Sequence, residues 1–204
     1  MDFASTIVGC LLVLAIALIA LLTLRPGLTA VRGGKVLAFF AFFALPAAAL
    51  WGGYELHMEH SKSTKFCLSC HVMEPYGKSL LIDDADFVPA SHYQNRRIDR
   101  DHACFTCHTN YTLFGDYKAK VGGLRHVWVY YTGQIPKKIE LYEPYKNREC
   151  LHCHGGARNF VEAHGEDVPS LESNETSCLD CHDQFHAVEK VAELPQWKEG
   201  PSHE

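Results

Sequence analysis

Two long apolar runs open the chain, and no run of similar length follows them. Ile7 to Leu24, IVGCLLVLAIALIALLTL, carries no charge and is long enough for a helix to span a bilayer. Val36 to Tyr54, VLAFFAFFALPAAALWGGY, is the second uncharged run. Between them RPGLTAVRGGK carries Arg25, Arg32 and Lys35. The positive-inside rule puts this loop in the cytoplasm, so both chain ends face outward. The leading MDFAST has one acid and no base, which suits an exported end. A cleavable signal peptide, cut after Ala47-Ala48-Ala49, is the competing reading. It requires a basic start, where this chain has Asp2. Pro46 bends the second helix or is tolerated through water or neighbouring groups. Trp51 and Tyr54 stand at the aromatic-belt position. The pattern predicts a membrane anchor over 1–58, with transmembrane helices at about 7–24 and 36–54.

From residue 61 the pattern changes. Apolar runs become short and punctuated, as in SLLIDD, ADFVPASHY and TLFGDY, and no strand-like alternation is sustained. Short helices and long loops are expected. One longer helix is predicted from Asp116 to Tyr131, although Gly122-Gly123 weakens it. Residues 134–149, QIPKKIELYEPYKNRE, read as a linker loop with two prolines. Lys137, Lys138 and Lys146 there form a solvated surface or a docking patch, and the first reading is preferred.

Composition narrows the chemistry. A net charge of −5 over 204 residues argues against nucleic acid as a partner. Nine cysteines and 13 histidines are an unusual combination. Eight of the cysteines fall in four copies of CxxCH: Cys67-Leu-Ser-Cys70-His71, Cys104-Phe-Thr-Cys107-His108, Cys150-Leu-His-Cys153-His154 and Cys178-Leu-Asp-Cys181-His182. CxxCH is the attachment signature of c-type haem. Two thiols at this spacing form thioethers to the two vinyl groups of one porphyrin, and the next residue lies under the iron as a nitrogen ligand. Zinc ribbons predict paired CxxC without a fixed following histidine. The motifs therefore predict four covalently bound haem c. Haem is attached outside the cytoplasm, so residues 59–204 are expected to form an extracytoplasmic tetrahaem domain. The fold class expected is mainly α: N-terminal transmembrane helices followed by a loop-rich, short-helix multihaem cytochrome c domain. The leftover Cys10 reads as a small apolar residue.

Nine histidines remain to complete iron coordination: His57, His60, His92, His102, His126, His152, His164, His186 and His203. His186 is too close to His182 to reach the other face of the same haem, so it should serve a neighbour. His92 and His164 lie between motifs and can also reach across. His152 is expected to point away from iron. Interface polarity accounts for His57 and His60, and a disordered tail for His203.

The order of an apolar anchor, WGGYE, FCLSCHVM, SHYQNR and three further CxxCH motifs resembles the NapC/NirT family of membrane-anchored tetrahaem quinol dehydrogenases, which includes the small subunit of cytochrome c nitrite reductase. The resemblance runs from about Ala48 to His186. It implies that Met73 is the proximal ligand of haem 1 in place of His71. A thioether favours reduced iron, which suits a haem that takes electrons from a quinol. The simpler reading is that His71 ligates and Met73 packs. The resemblance also implies His92 as distal ligand to haem 4 and His186 to haem 3. Tyr111 stands where some relatives carry a histidine, leaving the distal ligand of haem 2 open to His164 or to a partner protein. A family lysine beside haem 1 matches Lys120. The acid six residues later is His126 here, which is a proton acceptor, a ligand of haem 1 or a packing residue.

The resemblance implies a quinol dehydrogenase in the bacterial cytoplasmic membrane, with its haem domain facing the periplasm. It would oxidise menaquinol or ubiquinol and pass electrons to a periplasmic reductase or other redox protein, alone or as a homo- or hetero-oligomer. A second reading is an electron relay without a quinol site, reduced by another membrane protein. A terminal reductase of small oxyanions ranks lowest, because no Arg, Tyr and His cluster surrounds any one motif.

Overall fold

A computed structural model of the chain describes residues 3–133, 135, 139, 141–186 and 191. The chain divides into two compact units, Met1–Lys62 and Ser63–Glu204.

In the first unit, α1 (Phe3–Leu24) is apolar on every side, the pattern of a helix solvated by lipid rather than water. Pro26 follows it and turns the chain through a 3₁₀ segment, Pro26–Ala30. Gly34 is required at this turn, because a Cβ there would lie 1.6 Å from the carbonyl oxygen of Leu28. Then α2 (Arg32–Phe39), a π-helical turn (Phe40–Ala44) and α3 (Leu45–Lys62) run on as one helical rod. The π turn has a cause in the sequence. The Pro46 ring would press on the carbonyl of Phe42, four residues earlier, and widening that turn relieves the clash. Pro46 is thus absorbed without ending the helix. Phe3–Leu24 and Arg32–Lys62 are both long and apolar enough to cross a membrane. The rod has 31 residues, about 46 Å at the α-helical rise, against about 30 Å of hydrocarbon. Its polar end, with the Lys62–Glu59 ion pair at 3.2 Å, therefore continues beyond the apolar layer. The helices α1 and α3 pack on each other, with Ala15, Leu22 and Ala49 among the buried residues.

The second unit is built from short helices: α4 (Thr64–Leu68), α5 (Glu74–Ser79), α6 (Val88–Gln94), α7 (Ala103–Cys107), α8 (Gly115–Tyr131), α9 (Asn147–His154), α10 (Arg158–His164) and α11 (Val168–Glu172). No strand occurs among the described residues, so the chain is mainly α. The helix expected at 116–131 forms, through its glycine pair, and begins one residue earlier. Gly115 permits that start, because a Cβ there would collide with the carbonyl of Asn110. The stretch expected as a linker becomes helical from Asn147. Lys137, Lys138 and His203 lie outside the described residues.

Few large side chains form an ordinary core here; Leu80, Phe87, Phe160, Leu171 and Val191 are buried among the described residues. Buried polar side chains bind the short helices instead. Thr64 donates to the Arg100 carbonyl and accepts from Ala103 N, both at 2.8 Å, joining α4 to α7. Asn147 donates to the carbonyls of Leu171 and Thr176 and accepts from Cys178 N. Its own N–H reaches Asn174 Oδ1. One side chain thus joins α9 to the loop that carries the fourth motif. Tyr145 donates to the Cys107 carbonyl at 2.6 Å.

Candidate functional site

Each CxxCH motif sits at a short helix end, and local caps set those ends. Ser63 caps α4 by accepting from Phe66 N at 3.1 Å, which orients Cys67. Past α4, Cys70 leads into a 3₁₀ turn, His71–Met73. The Asp99 carboxylate accepts from Asp101 N and lies 2.7 Å from His102 Nδ1, leading into α7 with Cys104 and Cys107. Cys150, Cys153 and His154 ride on α9. Ser177 and Asp180 form a reciprocal capping box at Cys178.

Three of the four motif histidines face a second imidazole. His154 lies beside His92 with ring centroids 5.9 Å apart. His108 lies beside His186 at 6.0 Å, the rings nearly parallel. His182 lies beside His164 at 6.4 Å. Two metal–imidazole bonds of about 2 Å, plus about 1.1 Å from each nitrogen to its ring centre, put axial ligands of one iron about 6 Å apart. All three pairs match that spacing. Among the described residues, no three His, Cys, Asp or Glu side chains converge as a tetrahedral metal site would require. The spacing of the three imidazole pairs therefore fits haem iron.

The outer histidines are also oriented as ligands. His92 Nδ1 is 2.8 Å from the Val88 carbonyl, and His164 Nδ1 is 2.7 Å from the Phe160 carbonyl. A carbonyl only accepts, so Nδ1 carries the proton and Nε2 keeps its lone pair. His186 Nδ1 is 2.8 Å from Ser79 Oγ, and that hydroxyl donates to the Tyr76 carbonyl at 2.6 Å. Ser79 must then accept from His186, which again frees Nε2. Metal-bound histidines are held in this way by their other ring nitrogen. Burial pushes His186 down to about 4, with the neighbouring His108 charge adding to it. Burial lowers His108 and His154 as well. Each is thus biased toward the neutral form that binds metal.

The remaining candidates fall into two groups. His102 is held by Asp99, and His152 stacks flat on Tyr111 at 3.8 Å, which points it away from the pairs. His71 is exposed and has no imidazole partner among the described residues, while Met73 next to it is half-buried. Lys120 lies over the Phe105 ring, within the second motif, at 4.7 Å and over the Phe66 ring, just before the first motif, at 5.9 Å. It is close enough for its charge to act on Cys67. His126, on the same helix, stacks on Tyr142 at 4.3 Å, and the Arg125 guanidinium caps that tyrosine ring at 4.1 Å. His126 also lies within electrostatic reach of His108, in the second motif. Burial and then Arg125 hold His126 below its ordinary value.

The motifs touch in sequence order. Cys67 and Cys104 share a hydrogen bond that lowers the first thiol to about 7 and raises the second. Cys107 feels Cys153, and Cys150 bonds Cys178. Burial, then the Cys178 charge, pushes Cys150 up to about 12. These titrations belong to the free thiols and vanish once thioethers form.

The resemblance had put His92 at haem 4 and His186 at haem 3. In the structure the His92 ring lies beside His154 of the third motif, His186 beside His108 of the second and His164 beside His182 of the fourth. Ser79 and Tyr142 were missed, because nothing in their local sequence signals a role; each acts only across the fold.

A helical membrane anchor joined to CxxCH motifs with facing histidines defines a membrane-anchored c-type cytochrome that carries electrons. The NapC/NirT cytochrome c family, N-terminal region, matches residues 32–191, and the chain belongs to that family. It is 26% identical to the cytochrome c-type protein NapC of Paracoccus pantotrophus over 172 residues, covering 74% of this chain and 70% of that protein. It is 22% identical to NapC of Haemophilus influenzae over 151 residues (65% and 70%). NapC of Escherichia coli K12 is 25% identical over 152 residues (65% and 72%). No solved structure shows a significant match to the chain. Covalently bound haem c follows from the family and from the donor set.

Proposed function

We propose that this protein oxidises a quinol, menaquinol or ubiquinol, and passes the electrons through four haem c groups to a periplasmic redox partner such as a reductase. The membrane is the bacterial inner membrane, with the haem domain on its periplasmic side. One observation carries the reading: Lys120 lies between the first two motifs, over Phe66 and Phe105, and its charge reaches Cys67 of the first motif, whose His71 has no imidazole partner among the described residues. Bis-histidine iron is closed to substrate. The first motif, with Met73 as its ligand, differs from the rest and is where a quinol would deliver electrons.

The haems, when bound, supply the one-electron redox chemistry. The chain supplies attachment through Cys67, Cys70, Cys104, Cys107, Cys150, Cys153, Cys178 and Cys181. Met73, His108, His154 and His182, together with His92, His164 and His186, would hold the irons. Oxidation of a quinol to a quinone also releases two protons. Lys120 orients the quinol oxygen through its ammonium. His126, held by Tyr142 and biased toward its neutral form by its surroundings, accepts the two protons one after the other and hands each to the outer water.

The test is haem reduction by a menaquinol analogue in proteoliposomes. Wild type should be reduced quickly. Lys120→Ala and His126→Ala should each slow reduction by about 100-fold, the usual scale for a lost acid–base or positioning group, with reduction by dithionite unchanged. If no quinol reduces the wild type while dithionite does, the protein is a relay fed by another membrane protein.

A further inference from the structure

An acid with no part in haem attachment or ligation precedes the third motif. Glu149 stands in the first turn of α9, one residue before Cys150. An acid at this place ordinarily reaches back to the backbone N–H at the start of its own helix. Glu149 bonds elsewhere. Its Oε2 accepts from the N–H of Tyr111 at 3.2 Å, 38 residues earlier and just past the second motif. The side chain is only 7% exposed, whereas Arg148, whose Nε lies 3.3 Å from Oε1, is 43% exposed. Water therefore screens the cation more than the anion. The surroundings belong to both motifs. Tyr111 stacks on His152, inside the third motif, and its hydroxyl donates to the Thr106 carbonyl, inside the second, at 2.7 Å. The Glu149 charge is felt at Tyr111, Tyr145 and Cys150. One mostly buried anion thus lies among the side chains that join the second motif to the third.

We propose that Glu149 tunes the irons of the second and third motifs: its carboxylate favours the ferric state at both and so holds their potentials low. Ferric iron carries one more positive charge than ferrous iron, so a fixed anion nearby stabilises it, the more so where water is excluded. Charge and burial around a haem are two of the levers by which a protein sets its potential. Glu149 is not a ligand; it acts through its charge on irons that other residues hold. The competing account is a clamp between Tyr111 and α9, which needs an acceptor atom but no charge. The proposal rests on haem c at these motifs and not on a quinol as the substrate.

The experiment is a potentiometric titration of the haem-loaded full chain with dithionite and soluble mediators, read by haem absorbance and paramagnetic resonance. His108→Met and His154→Met each mark the signal of their own motif's iron. Glu149→Gln keeps an acceptor for the Tyr111 N–H and removes the charge. It should favour reduction of those two irons by about tenfold, a rise of about 59 mV for a one-electron couple, and move the first and fourth less. Glu162→Gln removes an exposed acid that is also paired with an arginine, Arg158 at 3.5 Å, and should move none. If Glu149→Gln does not hold its haems, Arg148→Gln makes the comparison, because it uncovers the anion and the same two potentials should fall. Second- and third-motif potentials that stay at their wild-type values in Glu149→Gln overturn the proposal and leave a clamp. It is equally overturned by an equal shift at all four irons, by the same shift in Glu162→Gln, or, where Arg148→Gln makes the comparison, by potentials that do not fall.

Discussion

Ser79 has one hydroxyl proton, and Tyr76 takes it. That leaves the Ser79 oxygen as an acceptor for His186 Nδ1–H, in a spot with no solvent exposure. The arrangement fixes both the tautomer and the angle of a half-buried imidazole. Removing it strands a donor, a cost of about 1–3 kcal/mol. In Ser79→Ala, one low-spin iron signal should shift in the paramagnetic resonance spectrum and its potential should change, with the other signals constant. Ser79→Thr, which keeps the hydroxyl, should restore both. A Ser79→Ala spectrum identical to wild type at every iron would show that the bond does not hold the ligand. His92 and His164 need no such side chain, because each bonds its own helix one turn back. That difference was legible in part: i to i−4 bonding follows from helix geometry, whereas the Ser79 contact spans 107 residues of sequence.

At the scale of elements, the sequence patterns were informative where apolar periodicity is long. Both spans and the helix at 115–131 were readable. The five- to eight-residue helices were not, because so short a segment shows neither a periodic face nor a reliable stop. They are held by side chains such as Thr64 and Asn147, whose partners lie elsewhere in the chain. Asn147 is the sharpest case, since its side-chain amide and carbonyl both bond backbone from the α11–fourth-motif segment. Asn147→Ala would take away the partner of the Thr176 carbonyl and of the Cys178 N–H, while the Leu171 carbonyl keeps the Asn174 N–H. A loss of about 2–4 kcal/mol is expected, read from equilibrium denaturation followed at the haem absorbance band. Asn147→Asp should not rescue it, because a carboxylate cannot donate to the carbonyls of Leu171 and Thr176. A variant as stable as wild type would mean that the fourth-motif loop is held by something other than this amide.

At the scale of the molecule, the chemistry was written locally and the connectivity was not. Any reader of the four CxxCH motifs can name the attachment residues. Which distant histidine meets which motif depends on how the short helices fold over one another, and no spacing rule encodes that. The pairings His92 with His154, His186 with His108 and His164 with His182 are therefore statements about the whole fold, and they have a test that single variants lack. Two ligands of one iron act as a unit, so their losses do not add. His92→Ala should convert one iron from low to high spin. Adding His154→Met should disturb that same iron and no other, leaving the low-spin count unchanged. Adding His164→Ala should cost a second iron. His152→Ala should change nothing, because its ring only stacks on Tyr111. The family resemblance alone gives the opposite expectation, with His92 serving the fourth motif. Under it, the His92→Ala/His154→Met pair would disturb two irons, because His154 belongs to the third motif. Counting low-spin signals in that double variant decides between the folded pairing and the inherited one.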